Sequence, residues 1–383
     1  TPSTSPQTPP AAPGLPDAVP SVIEAQGEVH IATGRDVAKQ PTGEEIMRLE
    51  DLTVSFPTDD GVVKAVRGMS YSLHEREVLG IVGESGSGKS VSTMAIMGLL
   101  PKTARVTGRV VYRGADILAM RAKQQRALRG SKIAMVFQDP MTALNPVYTV
   151  GDQLAEAVLS HATMPRRHAL ERAAEMLDLV GIPYPRERLG SYPHEFSGGM
   201  RQRAMIAMAV INNPDVIIAD EPTTALDVTV QAQILEKLLE VKDAVNAAII
   251  LITHDLGVIA GLAHRVLVMY AGKPVEMADV DSLFVRPRMP YTAGLLGSIP
   301  SLETTTGGRL RPIRGAPPSL IKLPSGCPFA PRCPLATDIC RTEEPALSGT
   351  DEYDHLAACH HWDKLAEVDD PTTYFQAESE ALR

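Results

Sequence analysis

Eight residues, Gly83-Glu84-Ser85-Gly86-Ser87-Gly88-Lys89-Ser90, constrain this chain more than any other stretch. The run before them, Val78 to Val82, is β-branched and leucine-rich and suits a buried parallel strand. A helical stretch follows. Glycine at a strand-to-helix junction lets backbone N–H groups curl around phosphate oxygens, where a Cβ would clash or forbid the dihedrals. The following helix adds the positive end of its dipole. The pattern predicts a phosphate-binding loop with Gly83, Ser85, Gly86 and Gly88 around the phosphates and Val91 just beyond them. Lys89 is expected to reach the β- and γ-phosphates, and Ser90 to ligate Mg²⁺. A flexible Gly/Ser linker is the plainer reading, and the strand before and helix after argue against it.

Downstream, "PDVIIADEPTTALD" supplies a second buried strand, Val216 to Ala219, which runs into Asp220 and Glu221. An acid at the C-terminal end of such a strand stands beside the phosphate loop and can hold Mg²⁺, and Glu221 is placed to polarise an attacking water. Bulk properties agree with a soluble α/β protein. The chain has 383 residues, 44% hydrophobic and 22% charged, and a formal net charge of −9, which opposes general nucleic-acid binding. The apolar runs "DVIIAD" and "AAIILIT" have the length of strands, not of membrane spans. Residues 1–44, rich in Pro, Ser, Thr and Ala, read as a disordered leader without the pattern of a signal peptide, and residues 365–383 as a loose acidic tail.

The segment "HEFSGGMRQRAMIAMAVINNPDVIIADEPTTALDVTVQAQIL" resembles the ATP-binding cassette (ABC) family. Ser197-Gly198-Gly199-Met200-Arg201-Gln202 looks like its signature motif, with Met where Gln is usual. Physically, Ser197 and two glycines open a helix and leave its N-terminus free for an anion. The resemblance implies that the signature of one cassette closes on the γ-phosphate held by another. It also gives Gln138 in "MVFQDP" the role of the loop that senses γ-phosphate and Mg²⁺. Asp227 in "TTALDV" becomes the interface-crossing loop, His254 in "LITHDL" the switch histidine, and Phe56 in "LTVSFPT" the aromatic that stacks on adenine. The implied architecture is a P-loop α/β core with an antiparallel β lobe and a helical subdomain at about 139–200. In "RHALERAAEMLDLVGI", Leu170, Ala173, Ala174, Leu177 and Val180 form one apolar face with Gly181 as the stop, and Ile234, Leu235, Leu238 and Leu239 form another stripe. "VKAVRGMSYSL" and "GRVVYRG" alternate as antiparallel strands.

Beyond His254, "RPRMPYTAGLLGSIPSL" and the Pro-rich segment ending in cysteines are similar to the ATP-binding subunits of oligopeptide/dipeptide importers. The likeness spans about residues 47–362, with a cassette at 45–290 and a C-terminal domain at 291–364. It implies ATP and Mg²⁺ as cofactors and ATP hydrolysis coupled to uptake. The implied partners are a second, related ATPase subunit, two transmembrane permease subunits at the cytoplasmic face of the membrane, and an extracytoplasmic solute-binding protein. A homodimer competes with the heterodimer, and nickel, glutathione or sugar competes with peptide. An ABC ATPase of DNA repair is disfavoured because no sustained heptads separate Lys89 from Asp220, and one of ribosomes because the chain carries one cassette.

All four cysteines fall near the end, as Cys327-x5-Cys333-x6-Cys340-x18-Cys359. The spacing lacks the short paired gaps of structural zinc and the bacterial ferredoxin run, and by itself says only that four soft ligands are able to converge. Buried inert thiols are the bland alternative. Relatives with this tail are associated with a [4Fe-4S] cluster, so the resemblance implies one held by Cys327, Cys333, Cys340 and Cys359, with Zn²⁺ as the alternative. His360 and His361 are expected to face solvent, and the stretch is expected to be an accessory domain remote from the catalytic motifs.

Overall fold

The computed structural model describes residues 43–299 and 313–375 apart from position 225. The leader therefore lies outside the described residues up to residue 42, as does the tail beyond residue 375. The strands run in chain order as β1 (Glu45–Thr58), β2 (Gly61–His74), β3 (Val78–Val82), β4 (Arg105–Tyr112), β5 (Ala115–Asp116), β6 (Ile133–Val136), β7 (Val216–Asp220), β8 (Ala248–Ile252), β9 (Arg265–Tyr270), β10 (Lys273–Asp279), β11 (Ser348–Gly349) and β12 (Leu356–Ala357).

They form two sheets. The larger has the order β11-β12-β10-β9-β3-β8-β7-β6, and the smaller β2-β1-β4-β5. From β9 through β6 the large sheet is parallel, and β10, β12 and β11 extend it antiparallel. The small sheet is antiparallel throughout, with Phe56 opposite Val63.

The parallel strands read as unbroken apolar runs because both faces are covered. Val78 and Val82 of β3, Ile217 and Ala219 of β7, and Ile249 and Leu251 of β8 enter one core with the helices. Their neighbours Leu79 and Ile81, Val216 and Ile218, Ala248, Ile250 and Ile252 enter the other, against the small sheet. This is the period-two alternation of a strand, expressed between two cores instead of between core and water.

Between β6 and β7 lie helices Val150–Leu159 and Arg166–Leu179 and then the helix Gly198–Val210. In the second of these, Ala169, Ala173, Ala174, Met176 and Leu177 are buried, and Gly181 stands at φ +75° just past its end. Leu170 is only partly buried there. Helix Val228–Val245 buries Ile234, Leu235, Leu238 and Val241, and Leu239 sits at the margin of that face.

The C-terminal region is packed onto the cassette. It contributes β11 and β12 to the large sheet, and Cys327, Phe329, Cys340 and Ala358 belong to the main helical-side core. The tail is likewise ordered as far as residue 375, where the turn Pro371–Phe375 sets the Phe375 ring against Gly294 of helix Pro290–Leu296. Phe375 meets Gly294 and Thr372 meets Gly297, so apolar and small groups in an acidic stretch supply the contact. His360 and His361 are also half-buried and bonded, to the Glu343 carbonyl at 3.1 Å and to Thr337 Oγ1 at 2.7 Å.

Candidate nucleotide-binding site

The loop from Gly83 to Gly88 joins β3 to helix Lys89–Met97. Gly83 and Gly88 adopt φ +150° and +102°. A Cβ would lie 2.2 Å from the Met269 carbonyl oxygen at Gly83 and 2.3 Å from the Ala65 carbonyl oxygen at Gly88, so both conformation and space demand glycine. Ser85 and Gly86 are exposed on the outside of the bend, and Val91 is half-buried on the first helical turn. Lys89 is buried, and its Nζ donates to the carbonyls of Gly83 at 2.7 Å and Glu84 at 3.0 Å. Burial pushes its pKa down, against the pull of Glu221, Asp220 and Glu84.

β7 delivers the acids. Ser90 Oγ donates to Asp220 Oδ1 at 2.8 Å, which brings the helix and the strand end together across 130 positions. Burial raises the Asp220 pKa, while the Ser90 hydrogen bond opposes that shift. Glu221 follows in a left-handed conformation, φ +45°, with its N–H bonded to the Ile252 carbonyl. Its Oε2 accepts from Gln138 Nε2 at 3.0 Å and from Thr224 Oγ1 at 3.0 Å, and His254 Nδ1 lies 3.6 Å away. Lys89, Ser90, Gln138, Asp220, Glu221 and His254 thus share one end of the parallel sheet, the C-terminal end of β3, β6, β7 and β8, where ligands enter such folds. Thr224 was not singled out in the sequence, although it lies inside "DEPTTALD".

The signature residues stand apart from this group. Ser197 caps helix Gly198–Val210, its Oγ accepting from Met200 N at 3.3 Å. Ser197 and Gly198 are exposed, Gly199 and Met200 half-buried, and the space beside both glycines is bounded by Leu226 and Val230. Asp227 caps the next helix, accepting from Val230 N at 3.0 Å. Ser197, Gly198 and Asp227 are thus exposed at the starts of two neighbouring helices. Phe56 is half-buried on β1.

The four cysteines line one cavity together with Phe329, Ala330, Leu335, Met289, Pro290, His360 and His361. None of the four forms a disulfide. Burial pushes the Cys327 thiol up, and pushes Cys359 up to about 12 with the neighbouring cysteines adding to it. Among the described residues no group of three or more His, Cys, Asp or Glu side chains is placed to hold a metal ion. Neither the expected [4Fe-4S] cluster nor the Zn²⁺ alternative has a ready ligand group as the side chains stand.

Two residues that the sequence reading passed over also enter the site. Glu84, inside the loop, receives Arg332 from the cysteine segment in a two-pronged ion pair, and its N–H donates to the Tyr291 hydroxyl at 2.8 Å. The signal for Glu84 was its carboxylate inside a phosphate loop, and no signal in the linear sequence marked Arg332.

Comparison with known proteins agrees with this architecture. The ABC transporter family model matches residues 66–224, and the model of the oligopeptide/dipeptide transporter C-terminal region matches residues 275–340. The dimeric ATP-binding cassette MJ0796, solved bound to ADP and Pi, superposes with a TM-score of 0.55 at 25% identity, covering 61% of this chain and 99% of that one. Fold and site together define a nucleotide-binding cassette of the ABC type. The dipeptide transport ATP-binding protein DppD of Bacillus subtilis is 52% identical over 326 residues, 85% of this chain and 97% of the relative. The oligopeptide transport ATP-binding protein OppD of Mycobacterium tuberculosis is 55% identical over 315 residues, 82% of this chain. This chain spans about half of that mycobacterial relative, 51% of its length. The chain belongs to the oligopeptide/dipeptide ABC transporter family of ATP-binding proteins.

Proposed function

We propose that this chain hydrolyses ATP to drive an importer of dipeptides or oligopeptides, bound peripherally at the cytoplasmic face of the membrane. The observation that carries the reading is the convergence of Ser90, Asp220, Gln138, Glu221 and His254 beside the phosphate loop. Similarity to proteins named for dipeptide and oligopeptide transport supports the substrate class. Among the described residues no helix is long and apolar enough to cross a membrane, so translocation is assigned to separate permease subunits.

In this reading Lys89 and the loop amides bind the β- and γ-phosphates, and Phe56 stacks on adenine. Ser90, Asp220 and Gln138 present oxygen donors of the kind Mg²⁺ takes, and the adjacency of Ser90 Oγ and Asp220 fits that set. Held by these residues, Mg²⁺ would supply positive charge against the phosphate oxygens. Glu221 orients a water and accepts its proton as the water oxygen attacks the γ-phosphorus. The bond to the bridging oxygen breaks, ADP leaves, and phosphate is released. His254, beside Glu221, steadies the γ-phosphate end. Ser197, Gly198, Gly199 and Met200 close on the ATP of a second, related cassette, with Asp227 at the seam. Each site is then completed by two chains, and Gln138 passes closure to the permeases. A solute-binding protein delivers the substrate from outside.

The four-cysteine cavity offers a [4Fe-4S] cluster four soft donors that line one space, which is what supports this reading. Cys327, Cys333, Cys340 and Cys359 would each hold one iron. Iron and acid-labile sulfide near four each per chain are expected in protein purified without air. A colourless, zinc-loaded protein would overturn this assignment.

Reconstitution tests the function. The chain, a related ATPase subunit, two permeases and the solute-binding protein in vesicles should hydrolyse ATP faster when peptide is supplied. An assembled complex that ignores peptide but responds to nickel, glutathione or sugar replaces the substrate, and one that never hydrolyses ATP removes the activity.

A further inference from the structure

A carboxylate inside a phosphate loop opposes the charge that the loop is shaped to hold. Glu84 occupies that position, and its charge is felt at Lys89. Arg332 answers it from 248 residues away, with Nη1 donating to Oε2 at 2.6 Å and Nη2 to Oε1 at 2.8 Å. A two-pronged guanidinium–carboxylate pair fixes direction as well as charge. The Arg332 side chain is only 4% exposed, so this is no surface pair. It is itself held, Nε donating to the Arg314 carbonyl at 2.9 Å and Nη1 to the Tyr270 hydroxyl at 3.3 Å. Its guanidinium also lies 5.8 Å from the ring centres of Tyr270 and Phe329. Those rings pack with Tyr291, whose hydroxyl accepts the Glu84 N–H.

The C-terminal region touches the surroundings of the loop twice more. Glu344 pairs with Arg67 at 2.8 Å and Lys273 at 3.0 Å, beside the bond from Gly272 N to the Ser87 carbonyl. The Leu320 carbonyl accepts from Lys64 N, one residue past the partner of Phe56.

We propose that Arg332 is a positioning residue of the nucleotide site. It cancels the charge of Glu84 and holds that carboxylate toward the C-terminal region, so that this region sets the phosphate affinity of the loop. The inference rests on reading the loop as the ATP site.

Calorimetric titration of the full chain with ADP, which is not hydrolysed, tests it. Wild-type protein that fails to bind ADP removes the functional reading itself. Given wild-type binding, Arg332→Gln is expected to weaken ADP affinity about fivefold or more, the worth of one charge interaction at a partly exposed site. Adding Glu84→Gln should restore affinity to within about twofold of wild type, because the repulsion is then gone. Unchanged affinity in Arg332→Gln overturns the proposal. So does a double variant as weak as Arg332→Gln, which would mark Arg332 as structural only. Should Arg332→Gln not fold, Arg332→Lys, with and without Glu84→Gln, carries the same comparison. Lysine keeps the charge but not the fork, so affinity within about twofold of wild type, or a weakening that Glu84→Gln relieves, supports the proposal, whereas a weakening that Glu84→Gln leaves in place overturns it.

Discussion

Glu77, just before β3, buries a carboxylate with no exposed side-chain surface. Arg265 Nε donates to it at 2.7 Å, and the His74 N–H at 2.8 Å. Removing one partner of such a pair leaves an unmatched buried charge, so Arg265→Ala is expected to cost roughly 3 kcal/mol. Urea denaturation would read this as a lower midpoint at unchanged slope, and an unchanged midpoint would refute it. At the site, Glu221→Gln should cut turnover at least about a hundredfold while nucleotide still binds, since it removes a general base without disturbing the phosphate loop. Phosphate release and nucleotide titration separate the two effects, and normal turnover would end the role given to Glu221. Such residues were legible because their chemistry is local: Lys89, Ser90, Asp220 and Glu221 sit in short runs whose residue types announce phosphate and metal. Arg332 was not, because nothing in a linear chain pairs it with a loop 248 residues earlier.

Elements show the same division. β3, β7 and β8 were readable as buried parallel strands because an apolar run bounded by glycines or acids has few other outcomes. β11 and β12, two residues each, have no periodicity to read, and only their pairing onto β10 makes them strands. Helix Val228–Val245 illustrates a separable role for its first residue. Asp227 caps it through Val230 N, so Asp227→Ala should lower the stability of the isolated chain by about 1 kcal/mol, while Asp227→Asn, which can still accept that bond, should cost little. Thermal melts of the two variants check this, and equal losses would show that the cap is not what Asp227 contributes.

For the whole molecule, the C-terminal region shares its core with the cassette. Composition changes near residue 290, but burial does not: Phe329 packs on Tyr270 of β9, and the buried His355 bonds Glu276 of β10 at 2.8 Å. A chain cut after residue 312 would uncover these groups and leave the Glu276 carboxylate only the Arg288 N–H of its two partners. It is expected to melt well below the full chain, by about 5 °C or more, because each such loss is worth at least a kilocalorie per mole. If the shortened chain melts with the full one, the C-terminal region is an appendage after all.

The paired two-residue strands β11 and β12 have one more effect, on crowding. Without them β10 would form the border of the large sheet and offer its free N–H and C=O groups to any neighbour. An edge of only two residues gives a second molecule too little backbone to extend the ladder. At this border of the sheet, a neighbouring copy therefore finds little backbone to pair with.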